Sequence, residues 1–271
     1  MDADAAMTDL KTMLSPSSPP CPRDAAGIAA LRRDAARAVA VAALMLVAAA
    51  ALATLGAGLG AWFVPRALAV FGIGAACMWR GLAAHAPQAR FGAANGITLL
   101  RLALVALLAA AAFEPAAGTP AGAWAAVALA TLAALLDAVD GPIARRRRQA
   151  SDFGARFDME TDALLVAVLC IAVWQLDKAG AWVLASGAMR YVFVLAAGAW
   201  RWLDRPLPPS RRRKTVCVLQ IVTLIVCLGP IVDPALAGMV AGAGLALLAY
   251  SFGADIAWLA RRRHLALGVP A

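Results

Sequence analysis

The chain has 271 residues, 63% of them hydrophobic, and a formal net charge of +9 at pH 7. Apolar runs of span length recur along it, which excludes an ordinary soluble domain and indicates an all-α polytopic membrane protein. In a soluble protein that charge would suggest nucleic acid. Here Lys and Arg cluster between the apolar runs, so the positive-inside bias accounts for them and no nucleic-acid partner is expected.

Residues 1–24 are polar and rich in Pro and Ser, with Ser-Pro-Ser-Ser-Pro-Pro from Ser15 to Pro20, and are expected to form a disordered cytoplasmic tail. They lack a basic region with a small-residue cleavage site, so no removable signal peptide is expected. Arg32, Arg33 and Arg37 precede the first candidate span, Ala38 to Ala61. The shorter run Ala67 to Trp79 can span only by recruiting Trp62 to Val64 with Arg66 snorkelling; a re-entrant or interfacial helix is the alternative. Residues 25–86 thus read as a pair of N-terminal membrane helices.

His85 to Gly92 reads as a linker, and a span follows from Asn95 to about Phe113. Thr98 and Arg101 are three apart and share a helix face. Either they line a polar site, or Asn95 caps the helix and Arg101 snorkels to the interface. Glu114 to Gly122 carries turn residues and no Lys or Arg, so it belongs outside. The next span, Ala123 to Ala138, leads back inward.

It leads into Asp137-Ala-Val-Asp140-Gly141-Pro-Ile-Ala144-Arg145, then eight residues, then Gly154-Ala-Arg-Phe-Asp158-Met-Glu-Thr-Asp162. Carboxylates near membrane depth are costly unless they face a wet cavity or a cation, which makes them a functional hypothesis by default. Asp137 and Asp140 are three apart, Asp158 and Asp162 four apart, so each pair shares a helix face. A short turn from Arg146 to Ser151 would aim all four at one point. Oxygen-only ligands suit Mg²⁺ or Mn²⁺ rather than zinc. Gly141, Ala144 and Gly154 leave room for a ligand or a close helix approach, and Arg145 can neutralise a phosphate. Pro142 should bend the helix near the site. The site expected is one for divalent metal and a nucleotide diphosphate; four unrelated acids at helix ends is the bland alternative.

The pattern Asp-x2-Asp-Gly-x2-Ala-Arg, a spacer, then Gly-x3-Asp-x3-Asp resembles the signature of the CDP-alcohol phosphatidyltransferase family, with all eight fixed positions present. The Asn95-x2-Thr98-x2-Arg101 run resembles that family's first core helix. The resemblance implies a membrane domain over residues 87–264 with six core helices, a tail at 265–271, and an active site opening to the cytoplasmic leaflet. It implies CDP-diacylglycerol as donor, CMP as leaving group and a two-metal site of Mg²⁺ or Mn²⁺. Asp137, Asp140 and Asp158 match metal ligands, and Asp162 matches a catalytic base that also touches metal. Thr98, Asp140, Gly141, Ala144, Arg145 and Gly154 match positions around the nucleotide. Homodimerisation through membrane helices is a further implication.

Past the signature, a span ends near Trp174, and the short Gln175 to Gly180 segment lies outside. The span from Ala181 to Leu203 contains Arg190, an intramembrane charge that needs a partner. A basic loop, Asp204 to Lys214, precedes spans at Val216 to Ile231 and Ala237 to Trp258, and Arg261 to Arg263 follow. Every second loop is basic, as an even number of spans requires; Arg66 and Lys178 are the exceptions. Eight membrane helices are expected, in a bacterial inner membrane.

Arg190, Arg211, Arg212, Arg213 and Lys214 could bind an acceptor phosphate, which favours a phospho-alcohol such as glycerol 3-phosphate, with inositol phosphate, inositol or serine as alternatives. Topology alone would also account for the loop cations. Lys214-Thr215 with Gln220 resembles the family's glycerol-phosphate branch, although the spacing to the glutamine differs and Ala163-Leu-Leu stands where that branch carries Ala-Asp-Lys. The five cysteines form no CxxC pair and read as buried small hydrophobes. An ion or proton transporter using the same carboxylates is the reading from another class.

Overall fold

The computed structural model describes the backbone of residues 22–85, 90–146, 151–205, 207–208 and 210–262, and within it the side chains of all but residues 22–25 and 139–146. The described residues form eight α-helices and no strand: α1 (Pro22–Ala57), α2 (Phe63–Gly81), α3 (Ala93–Ala111), α4 (Pro120–Arg146), α5 (Asp152–Gln175), α6 (Leu184–Ala199), α7 (Arg211–Leu228) and α8 (Pro234–Arg261). Short 3₁₀ turns at Leu82–His85, Pro115–Gly118 and Ala181–Val183 join them. Ala and Leu are strong helix formers, and a bilayer admits an open chain only when its backbone is bonded internally.

Helix ends follow local chemistry. Gly58 (φ 63°) ends α1 and Gly92 (φ 85°) precedes α3, both in the left-handed region that other residues avoid. Ser151 caps α5, its Oγ accepting from Gly154 N at 3.0 Å, and Asp233 caps α8, accepting from Leu236 N at 3.0 Å. Pro234 then occupies the first turn of α8, where its missing donor costs nothing.

Six helices are long and apolar enough to cross a membrane, so the chain is an all-α multi-pass membrane protein. Outside that set are α5, which carries Asp158, Glu160 and Asp162, and α7, which opens on Arg211 to Lys214. The first helix starts at Pro22, well before the expected span, so residues 22–37 are helical where a tail and loop were expected. Ala and Arg both favour helix, and the arginines lie inside α1 instead of preceding it. Residues 1–21 and 263–271 lie outside the described residues. The segment around Pro65 is one helix, Phe63–Gly81, which with the turn to His85 is long and apolar enough to cross a membrane. The helix α7 takes in the basic run placed in the preceding loop, whereas α6 stops at Ala199.

The central helix is α3. Within its most apolar window 72% of residues are buried inside the protein, against 17–22% for the other five apolar helices. It packs on α1, α2, α4 and α5 and contributes to both apolar cores. One core joins α3, α4, α5, α7 and α8 around Leu108, Leu165, Leu169 and Leu224. The other joins α1, α2 and α3 around Leu46, Phe71 and Leu102. The outward faces remain apolar, as with Leu52, Leu55, Ile73 and Leu195, which suits lipid contact.

The two cations that break the charge alternation both have partners within the protein. Arg66 pairs with Glu114 at 3.1 Å. Lys178 donates to the carbonyls of Gly229 and Val232 past the end of α7. Against α5, α6 lies backbone to backbone: a Cβ on Gly187 would sit 2.7 Å from Ala167 Cα. Gly187→Ala should therefore destabilise the protein by about 1–3 kcal/mol. Gly198→Ala on the same helix, where a Cβ meets nothing within 4 Å, should be neutral or stabilising. Thermal denaturation in detergent compares the two, and equal midpoints would remove the close approach.

Candidate active site

Two helices bring the acidic motif together. Asp137 comes from α4, and Asp158 and Asp162 lie one turn apart on α5. One carboxylate oxygen of each lies within 4.8 Å of the other two, a spacing that could hold a divalent cation. The donor set is oxygen alone, which is compatible with a divalent-cation site. The carboxylates are half-buried, their side chains 20%, 35% and 20% exposed.

Arg101 of α3 stands among them, 0% exposed. Its Nη1 reaches Asp137 Oδ1 at 3.0 Å and also Asp158, its Nη2 pairs with Asp162, and its Nε donates to the Ala133 carbonyl at 3.1 Å. The snorkelling alternative for Arg101 is thereby excluded. Three carboxylates against one guanidinium still leave the cluster anionic, so it retains the charge to hold a cation.

A small polar scaffold fixes the start of α5 against α3. His85 Nε2 lies 3.1 Å from the Arg90 carbonyl, which can only accept, so Nε2 carries the proton. Nδ1 then accepts from Ser151 Oγ at 2.8 Å. Asn95 lies within α3 instead of capping it, and its side chain donates to the Phe91 carbonyl at 2.6 Å. Gly154 allows the approach, since a Cβ there would lie 2.9 Å from Asn95 Oδ1. Thr98 is buried on α3 one turn before Arg101 and donates to the Ala94 carbonyl.

Asp137, Asp158 and Asp162 line a cavity of about 590 Å³ bordered by α4, α5, α6, α7 and α8. Arg190, Arg213 and Lys214 line the same cavity; Arg211 and Arg212 do not. Arg212 instead binds the Ser251 carbonyl at 2.9 Å and pairs with Asp255. The partner that Arg190 needed is Glu160, two residues before Asp162. Asp140, Gly141, Ala144 and Arg145 lie in the last turns of α4, which stays helical through Pro142, and their side chains are outside the described residues.

Sequence reading left the counter-ion role of Arg101 open and missed Glu160, Ser186 and Asp255 altogether. The signal for Glu160 was the unpaired Arg190, but the partner lay 30 positions away in the chain.

Comparison with known proteins agrees with this geometry. The profile of the family described as CDP-alcohol phosphatidyltransferase matches residues 91–252. A curated relative, a probable cardiolipin synthase (CMP-forming) of Drosophila melanogaster, is 36% identical over 89 residues, which cover 32% of this chain and 28% of that protein. The chain thus spans under a third of that relative's length. No solved structure matches.

Replacing Arg101 by Met keeps the stem and removes the charge, leaving the carboxylates to repel one another. In chelator, the variant should lose about 3 kcal/mol, the low end for breaking a buried pair because the aspartates are partly exposed to the cavity. Mn²⁺ should then raise its thermal midpoint more than it raises that of the wild type. Equal metal-induced shifts would show that Arg101 carries no counter-charge for the cluster.

Proposed function

The chain belongs to the CDP-alcohol phosphatidyltransferase family of phosphotransferases, and from that premise we propose that it transfers a phosphatidyl group from CDP-diacylglycerol to an alcohol, releasing CMP. The observation that carries the reading is the aspartate cluster in a cavity that Arg190, Arg213 and Lys214 also line. The relative's name, a CMP-forming synthase, supports the same leaving group. The six helices from α3 to α8 form the catalytic core and α1 and α2 are additions to it. The matched segment, which starts just before α3, supports that division.

The residues divide the work. Asp137, Asp158 and Asp162 hold the metal, together with Asp140, one turn beyond Asp137. Bound Mg²⁺ or Mn²⁺ would supply positive charge to the donor's diphosphate and to the leaving CMP. Gly141, Ala144, Arg145, Gly154 and Thr98 receive the nucleotide. The acceptor hydroxyl attacks the phosphorus of the phosphatidyl group and gives its proton to the Asp162 carboxylate. A new P–O bond forms as the P–O bond to CMP breaks, and the electron pair leaves with CMP.

Arg190, Arg213 and Lys214 present cations to the acceptor side, which favours a phosphorylated acceptor, glycerol 3-phosphate first. The site opens to the cytoplasmic side of a bacterial inner membrane, the side to which the positive-inside bias assigns the basic clusters in the sequence at 79–101, 145–156, 205–214 and 261–263, and the protein works as a homodimer.

Asp162→Asn should retain CDP binding within a few-fold while transfer falls at least about 100-fold, the scale of a lost general base. CMP release from CDP-diacylglycerol, measured across a panel of alcohols with Mn²⁺ and again with chelator, checks it. Wild-type turnover by the variant would remove Asp162 from the role. Metal-independent turnover would remove the metal site.

A further inference from the structure

The cavity contains polar groups that none of the described residues satisfies. Gln220 is 1% exposed and Ser186 3%, and both line the cavity. Neither atom of the Gln220 amide has a hydrogen-bond partner, and neither has Ser186 Oγ. Arg190 Nε, on the same face of α6 as Ser186, is likewise unpartnered. Buried amides and hydroxyls are almost always bonded, so a group of them bordering a cavity is positioned to bond a ligand that enters it.

The fold makes room for this group. Gly244 of α8 faces the Gln220 amide, and a Cβ there would lie 2.7 Å from Oε1. Gly187 lets α6 close on α5 beside Ser186. Along the helices, Ser186 lies one turn from Arg190, about 6 Å, and Gln220 two turns from Arg213, about 10 Å. The two helices run in opposite directions, so both steps lead away from the cationic rim to a neutral floor. Val166, Ile221 and Leu248 supply apolar wall.

We propose that Ser186 and Gln220 form a hydroxyl-binding floor for a phosphorylated polyol, whose phosphate lies against Arg190, Arg213 and Lys214. This rests on the transferase reading above and specifies its acceptor. The amide offers two donors and one acceptor atom and the serine one of each, a set that matches two neighbouring hydroxyls. Neither group carries charge to offset an ammonium, so the floor selects polyols over amino alcohols. The polyol can be a free phosphate ester or the headgroup of a phospholipid.

The test uses the full chain in detergent with Mn²⁺ and CDP-diacylglycerol. Glycerol 3-phosphate, phosphatidylglycerol in mixed micelles and serine are the acceptors. Gln220→Met and Ser186→Ala should raise KM for the productive polyol at least about 10-fold, with kcat and CDP affinity little changed. Without acceptor, the thermal midpoint of Gln220→Met should equal or exceed that of the wild type, because an unpaired amide is gone. Glycerol 3-phosphate or phosphatidylglycerol should raise the wild-type midpoint and leave that of the variant unmoved. The relative efficiency of the two polyols identifies the source. KM values within two-fold of wild type in both variants, or serine as the preferred acceptor, would overturn the floor while the transferase reading stood. CMP release from no acceptor, with CDP binding intact, would instead remove the transferase reading, and the floor with it.

Discussion

A single buried guanidinium ties the site to the fold. Arg101 extends from the central helix and bonds to a backbone carbonyl and a carboxylate of α4 and to two carboxylates of α5. Each of these groups would be costly to bury alone. Together they fix the rotation of three helices about their axes, because any one turning would strand a charge in a medium that cannot solvate it. Apolar packing in a membrane cannot do this so well, since lipid is as apolar as a leucine side chain and exerts little preference among faces. The constraint that lets three aspartates converge is therefore electrostatic, and the small residues around it allow the convergence. Gly154 against Asn95 and Gly187 against Ala167 are the places where bulk would hold α5 away from α3 or α6.

The same rule governs the other charges at membrane depth. Arg66 and Lys178 violate the loop-charge pattern, and each is absorbed locally, one by Glu114 and one by carbonyls left over at a helix end. Glu114 also accepts from Gly60 N at 2.8 Å, so one carboxylate ties the turn after α1 to the turn after α3. Asp34 does similar work at the other end, accepting from Phe91 N at 2.9 Å and fastening α1 to the entry of α3. The N-terminal helices are thus attached to the rest of the bundle by polar clips at both ends of an apolar seam.

What sequence reading recovered follows from which constraints are local. The acidic motif was legible because its spacing places pairs on helix faces, and a helix face is a property of a few consecutive residues. The helix count was legible from run length. Helix starts were not, because Arg32 to Arg37 and Arg211 to Lys214 look like loop charge yet are good helix residues. Partners were not legible either: spacing puts Arg101 and Thr98 on one face but says nothing of what that face meets. The same holds for Arg190 and Glu160, and for Arg212 and Asp255, pairs joined only by tertiary packing.

The polarity of the cavity is graded, and the gradation separates two kinds of recognition. The aspartate wall has an excess of negative charge that a cation would offset. Among the cations of the cavity, Arg213 shares Asp255 with Arg212, so part of its charge is already spent within the protein. Lys214 has no ion-pair partner among the described residues and keeps its full charge for an anion. Arg190 is intermediate, its Nη2 engaged by Glu160 while Nε stays unpaired. Strength of attraction for a phosphate should therefore be concentrated at Lys214, on the helix that carries Gln220, and at Arg190, on the helix that carries Ser186. Charge can draw an anion to this side, but a phosphate is common to many molecules and distinguishes none of them. Discrimination has to come from groups whose unmet hydrogen bonds would penalise a wrong shape, and in this cavity those are neutral, buried and lie beyond the cations.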